Sequence, residues 1–237
     1  MSGAVAALWA NDLRNVVRDR TVSVLVVVPF LFALALRYGL PSAESELPLL
    51  AAYRPLVVAL FCLLASSFPG FVLAFLLLDE RDEGLFPAFR VLPISPGRFL
   101  LARLALASAL AVLYPLVILS AAGPVHPRPW PELLLLALLS ALVAPVAVLL
   151  VVVLASNKIE GMAVIKALFP LLLLPAAGLV VEAAWAVLFG LLPSYWVYRA
   201  FTAAGPAELA LSAAAGAAFH LVLAAALLRR FRERVFA

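Results

Sequence analysis

Charge is scarce in this sequence. Only 13% of its 237 residues are charged, cysteine occurs once, at Cys62, and histidine twice, at His126 and His220. A single cysteine excludes an intrachain disulfide, and two histidines on separate segments, with no HExxH or CxxC spacing, argue against a zinc site. No GxxxxGK[ST] phosphate loop occurs, so the chain cannot bind ATP in that manner. An intramembrane aspartyl protease needs two carboxylates at membrane depth, whereas every aspartate here falls in a segment assigned below to the cytoplasmic side. The net charge of +4 does not describe a nucleic-acid surface, because the basic residues lack interleaved aromatics and lie beside apolar runs.

What fills the sequence instead is apolar. Hydrophobic residues make up 67% of the chain, and its mean hydropathy of +1.16 lies far outside the soluble globular range. This is the composition of an all-α integral membrane protein, and the length accommodates roughly six spans of about 20 residues. Residues 1–20 place Val5, Leu8, Trp9, Leu13, Val16 and Val17 at near-helical spacing among Asn11, Asp12, Arg14 and Arg18, the pattern of an interfacial helix. Spans are expected at 21–40, 55–78, 98–122, 132–155, 162–181 and 206–228. The first is long enough to span and lacks a small-residue cleavage site, which distinguishes it from a secretory leader. Pro41–Arg54 and the proline-rich Gly123–Pro131 read as loops.

Met162 to Leu192 is apolar for about thirty residues, on the order of 45 Å of helix, too long for one span of a 30 Å core. It is expected to break, with 182–204 forming a hairpin of short helices that enters the outer leaflet and returns. Glu182 marks the outer end of span five, and Tyr195, Trp196 and Tyr198 supply interfacial aromatics. Three polar features inside spans carry two readings each. Ser66 and Ser67 read as helix packing or as a substrate contact. Ser212, Gly216 and His220 form a small-residue stripe on one face of span six. For His220 the alternatives are a buried hydrogen bond to a neighbouring helix or a substrate or proton role.

The longest charged interruption is Asp79–Arg103, which holds four acids and four arginines between two apolar segments. Leu85, Phe86, Phe89 and Leu92 recur within it at near-helical spacing, suggesting a short amphipathic element on the membrane surface, and Ser95-Pro96 reads as the cap of the next helix. A second polar break, Ser156-Asn157-Lys158-Ile159-Glu160-Gly161, reads as a tight turn in which Gly161 supplies positive φ. Lys and Arg counted on the two sides of six spans number thirteen and four, which puts both termini and both of these loops in the cytoplasm.

The acidic cluster running into Glu83-Gly84, the short helix, and Leu92-Pro93-Ile94-Ser95-Pro96 together resemble the coupling-helix region of ABC-2 type permeases. The Asn157-Lys158-x-Glu160-Gly161 pattern, followed by an apolar helix with Lys166 in its first turns, resembles the drug and fluoroquinolone export branch of that family. The resemblance implies a type V exporter-like fold of six spans, with a coupling helix at 79–97 and an outer re-entrant hairpin. It also implies ATPase-coupling roles for Asp79, Glu80, Arg81, Glu83, Gly84, Leu85, Phe86, Phe89 and Arg90. The partners it implies are two copies of a separate ATPase, which would hold ATP and Mg, and a second permease, identical or a paralogue. The cell (inner) membrane is the implied location. Pro87 departs from the family pattern, since a proline there removes a donor and restricts Phe86. Few charges fall in the spans, which favours an apolar or amphipathic drug- or lipid-like cargo. The alternative, a membrane enzyme of lipid metabolism, needs a cluster of polar catalytic groups at one membrane face, and no such cluster can be assembled.

Overall fold

The computed structural model describes Arg14, Arg18 and residues 20–84, 96–122, 127–181 and 184–236. All regular structure among these residues is helical. Six stretches are long and apolar enough to cross a membrane: Val26–Glu46, Pro48–Asp82, Phe99–Ala121, Trp130–Leu154, Lys158–Leu179 and Pro206–Phe231. Of the expected interfacial helix, Arg14 and Arg18 are helical and exposed, and the remainder up to Asp19 lies outside the described residues.

Proline decides where the helices change character. The first span begins as α1 (Arg20–Leu34), loosens into a π-helical turn (Ala35–Gly39) and resumes as α2 (Leu40–Glu46). Pro41 has no N–H to give the Arg37 carbonyl, and the wider turn absorbs that gap: Leu40 donates to Ala35, five residues back. The expected loop at Pro41–Arg54 is therefore mostly helical. Pro48 opens a 3₁₀ segment (Pro48–Tyr53), and Pro55 sits in the first turn of α3 (Arg54–Asp82). Pro48 and Pro55 each stand in the first turn of their helix, where a missing donor costs little.

The third span, α4, covers Pro96–Ala121. The fourth is divided into α5 (Trp130–Ala141) and α6 (Val143–Leu154) at Leu142, whose N–H bonds back to Leu139 at 3.3 Å. Pro145 explains the break, because it cannot donate to Ala141. The fifth span, α7 (Lys158–Leu173), tightens into a 3₁₀ segment at Leu174–Leu179. A second 3₁₀ segment (Ala184–Leu191) and α8 (Pro193–Thr202) follow, then the long α9 (Pro206–Phe236). The two 3₁₀ segments touch where a Cβ on Gly178 would come within 2.6 Å of the Phe189 ring. Glu182 lies outside the described residues.

Helix α3 is the axis of the molecule. It is apolar all round, the signature of a helix covered on every side, and it packs against α1, α4, α5, α6, α7 and α8. Two cores surround it. One gathers Leu36, Leu63, Leu136, Tyr198 and Phe201; the other gathers Phe71, Leu78, Val148, Ile165 and Phe231. Ser66 and Ser67 lie between them, fully buried. Ser66 Oγ donates to the Ala111 carbonyl of α4 at 3.0 Å and Ser67 Oγ to Leu64 at 2.7 Å, which is helix packing with both hydroxyls satisfied. Below them Gly70 lets α6 in closely: a Cβ there would lie 2.6 Å from the Ala144 carbonyl oxygen.

Candidate functional site

The acidic end of α3 is where the polar interactions of one end of the bundle converge. Successive helical residues point about 100° apart, so Asp79 and Asp82 share a face while Glu80 and Arg81 address different neighbours. Asp79 and Asp82 both reach the start of α7. Lys158 Nζ lies 2.8 Å from Asp79 Oδ2, and the Lys158 backbone N–H donates to Asp82 Oδ2 at 3.3 Å. Arg81 turns to the end of α6, donating to the Ala155 carbonyl at 2.7 Å and to Val152 at 3.2 Å. Glu80 meets α4, where Arg103 Nη1 lies 2.6 Å from Glu80 Oε2 and the guanidinium packs 4.5 Å over the Phe99 ring.

This arrangement answers a need that the α6–α7 connection creates. A helix ends with carbonyls that lack donors and begins with amides that lack acceptors, and the two ends carry opposite partial charge. Arg81 supplies donors to the carbonyl end of α6, and Asp82 supplies an acceptor to the amide end of α7. Asn157 completes the turn as N-cap: its Oδ1 accepts from the Glu160 N–H at 2.9 Å. Glu160 in turn accepts from the Ser156 N–H at 2.7 Å and from Asn157 Nδ2 at 3.1 Å. The sequence reading placed these residues in two separate cytoplasmic loops; the fold makes them one clamp joining α3, α4, α6 and α7.

Two assignments from the sequence change. Gly161 is not a positive-φ turn residue. It lies in the first turn of α7, and its lack of a side chain matters because a Cβ would come within 2.5 Å of Leu78 Cδ1. Among the described residues, positive φ belongs to Gly84 (φ 69°), which terminates α3 in left-handed geometry. Glu83 is exposed beside it. Leu85, Phe86, Phe89 and Arg90 lie outside the described residues. Arg103, counted in the sequence only as a cytoplasmic charge, is 2% exposed and belongs to the clamp. Its position inside an apolar run was the available signal, since a charge there needs a partner.

His220 also differs from expectation. Its Nδ1 bonds the Gly216 carbonyl of its own helix at 2.8 Å, not a neighbouring helix. The ring lines a mainly apolar cavity of about 150 Å³ among α3, α6, α7, α8 and α9, together with Phe71, Val146, Leu168 and Ser194. The stripe it belongs to does allow close approach, with a Cβ on Gly216 only 3.1 Å from both Trp196 and Leu139.

The opposite end of the bundle holds Arg37, Arg54, Arg128 and Arg199. Arg54 is paired with Glu44 at 2.6 Å, and Arg37 donates to the Ala121 carbonyl at 3.4 Å. Arg128 bonds Glu132 at 2.9 Å and the carbonyls of Phe201 and Ala203, and Arg199 faces Glu208 at 3.9 Å.

Among the described residues, no group of His, Cys, Asp and Glu could hold a metal ion. Comparison with known proteins agrees with this picture of a multi-pass membrane protein. The model of the family described as "Fluoroquinolones export permease protein Rv2686c-like" matches residues 12–228. Two similar proteins are "Fluoroquinolones export permease protein MT2760" of Mycobacterium tuberculosis strain CDC 1551 and "Fluoroquinolones export permease protein Rv2686c" of strain H37Rv. Each is 32% identical over 247 aligned positions that cover 98% of this chain and 95% of the relative. With nearly its whole length matched in both comparisons, the chain belongs to the Rv2686c-like family of export permeases.

Proposed function

We propose that this chain is the membrane subunit of an ATP-driven exporter that moves apolar or amphipathic molecules, fluoroquinolone-like drugs among them, out of the cytoplasm. The chemical energy comes from a separate ATPase, two copies of which dock on a pair of permease chains. The observation that carries this reading is the clamp. The Leu85–Ser95 connection leaves from the end of α3 that is bonded to α4, α6 and α7 through Glu80, Arg81, Asp79 and Asp82. A force applied to that connection by a partner reaches four helices at once, through charge-assisted contacts that resist stretching.

In this reading Leu85, Phe86 and Phe89 enter an apolar groove on the ATPase, with Glu83 and Arg90 at its rim. Interface energy concentrates in such aromatic anchors, whereas rim charges mainly alter association rate. The clamp end and both termini face the cytoplasm of the cell (inner) membrane, and residues 182–204, following the 3₁₀ segment that ends the fifth span, form a re-entrant hairpin on the outer side. Its support is chemical. Pro175 leaves the Leu171 carbonyl without its helical donor, and Ser194 Oγ donates to that carbonyl at 3.3 Å, while Tyr198 Oη donates to Leu172 at 3.0 Å. Irregular backbone at membrane depth requires such internal partners.

The test is affinity purification of the tagged chain from its native membrane. A second polypeptide carrying a GxxxxGK[ST] loop should be recovered, and ATP hydrolysis should follow that polypeptide. Phe89→Ala should insert normally and recover less of it. ATP turnover by a preparation free of any second polypeptide would overturn the reading.

A further inference from the structure

The cavity lined by His220 has a chemical character that narrows what it can hold. Its side-chain lining is apolar except at two residues, Ser194 and His220. The Ser194 hydroxyl proton is already committed to the Leu171 carbonyl. The His220 Nδ1 faces the Gly216 carbonyl, which can only accept, so Nδ1 carries the proton and Nε2 is left with a lone pair. Among the described residues no side chain or backbone group bonds Nε2, although the residue is only 2% exposed. No fully buried side-chain nitrogen or oxygen among the described residues lacks a partner. The unpartnered Nε2 must therefore reach a surface, and the surface this ring lines is the cavity.

The two polar groups thus offer acceptors and no free proton. A carboxylate would meet lone pairs there, and an acyl chain would leave the imidazole unused. An N–H or O–H donor on an apolar ring satisfies both requirements. The volume agrees, because an apolar cavity of about 150 Å³ holds one benzene-sized ring. A complete drug-sized molecule needs roughly 300 Å³ or more.

We propose that this cavity is a cargo subsite, taking one ring of an amphipathic molecule and holding its N–H or O–H donor on His220 Nε2. The proposal rests on the reading of the chain as an exporter of drug-like cargo, and it adds where the cargo is held and which part of it is recognised.

The experiment measures equilibrium binding of two fluorescent probes to the full chain in lipid nanodiscs. Norfloxacin carries an N–H on its piperazine ring; N-acetylnorfloxacin has the same skeleton without that donor. Norfloxacin should bind roughly tenfold tighter, the worth of one good hydrogen bond. His220→Leu should abolish that difference by weakening norfloxacin alone, so the acetylated probe serves as the folding control within the same variant. Leu171→Trp, at a half-exposed lining position, should weaken both probes by narrowing the cavity. If both probes bind and neither variant changes either affinity, the cavity is not the subsite, while the export reading survives. If His220→Leu weakens both probes equally or neither, recognition through Nε2 is wrong. If the wild-type chain binds neither probe, the cargo reading beneath the proposal fails with it.

Discussion

Glu80 and Asp79 are adjacent acids with very different surroundings. Glu80 pairs with Arg103, whose side chain is 2% exposed, whereas Lys158 and Asp79 are 32% and 38% exposed. Removing one partner of a buried pair leaves an uncompensated charge, at a cost of about 3 kcal/mol, while an exposed pair contributes less than about 1 kcal/mol. Thermal unfolding of the purified chain in detergent should therefore drop sharply for Glu80→Gln and only slightly for Asp79→Asn. The glycines make a second contrast. At Gly70 a new methyl meets the backbone oxygen of Ala144, which cannot yield without separating α3 from α6; at Gly161 it meets the flexible tip of Leu78. Gly70→Ala should cost about 1–3 kcal/mol as overpacking, and Gly161→Ala less. Equal melting temperatures for the two alanine variants would contradict this account of the α3–α6 contact.

The α6–α7 turn shows how an element end becomes a working part. The sequence reading took it as a tight turn built on Gly161 and passed over a signal that was present, since Asn157 followed three residues later by Glu160 is the pattern of a capped helix start. Its partners were not legible. Nothing in the spacing of Asp79, Arg81 and Asp82 says that the aspartates reach α7 and the arginine reaches the carbonyl end of α6, because that depends on how α3 is rotated against both. The same limit hid Arg103, a charge whose partner lies 23 residues away in sequence. The break in the Met162–Leu192 run was expected from its length alone, but the π-helical turn before Pro41 depends on backbone geometry that composition does not encode. Asn157→Ala should cost about 1 kcal/mol as a lost cap. Arg81→Ala should go further, exposing the Val152 and Ala155 carbonyls, and amide hydrogen exchange across 155–161 should accelerate relative to the parent protein.

At the scale of the whole molecule, six apolar spans follow from hydropathy and length, and the family match agrees with that reading, whereas the central place of α3 among them came with the fold. Which face of each helix meets which neighbour came only with the fold. The two ends differ in charge, and orientation rests on that difference. In a Cys62→Ala background, a cysteine at the exposed Ser45 should react with an impermeant maleimide from outside intact cells, and one at Glu83 should not; the reverse labelling would invert the assignment of sides. The central claim is that the clamp transmits force from a partner ATPase to the helices. It is tested most directly by reconstituting the complex of permease and ATPase with Arg81→Ala and measuring drug transport and ATP hydrolysis in the same vesicles. The account predicts that the ATPase stays bound and hydrolyses ATP while transport per ATP falls well below that of the parent complex. Unchanged transport per ATP in an assembled Arg81→Ala complex would contradict it.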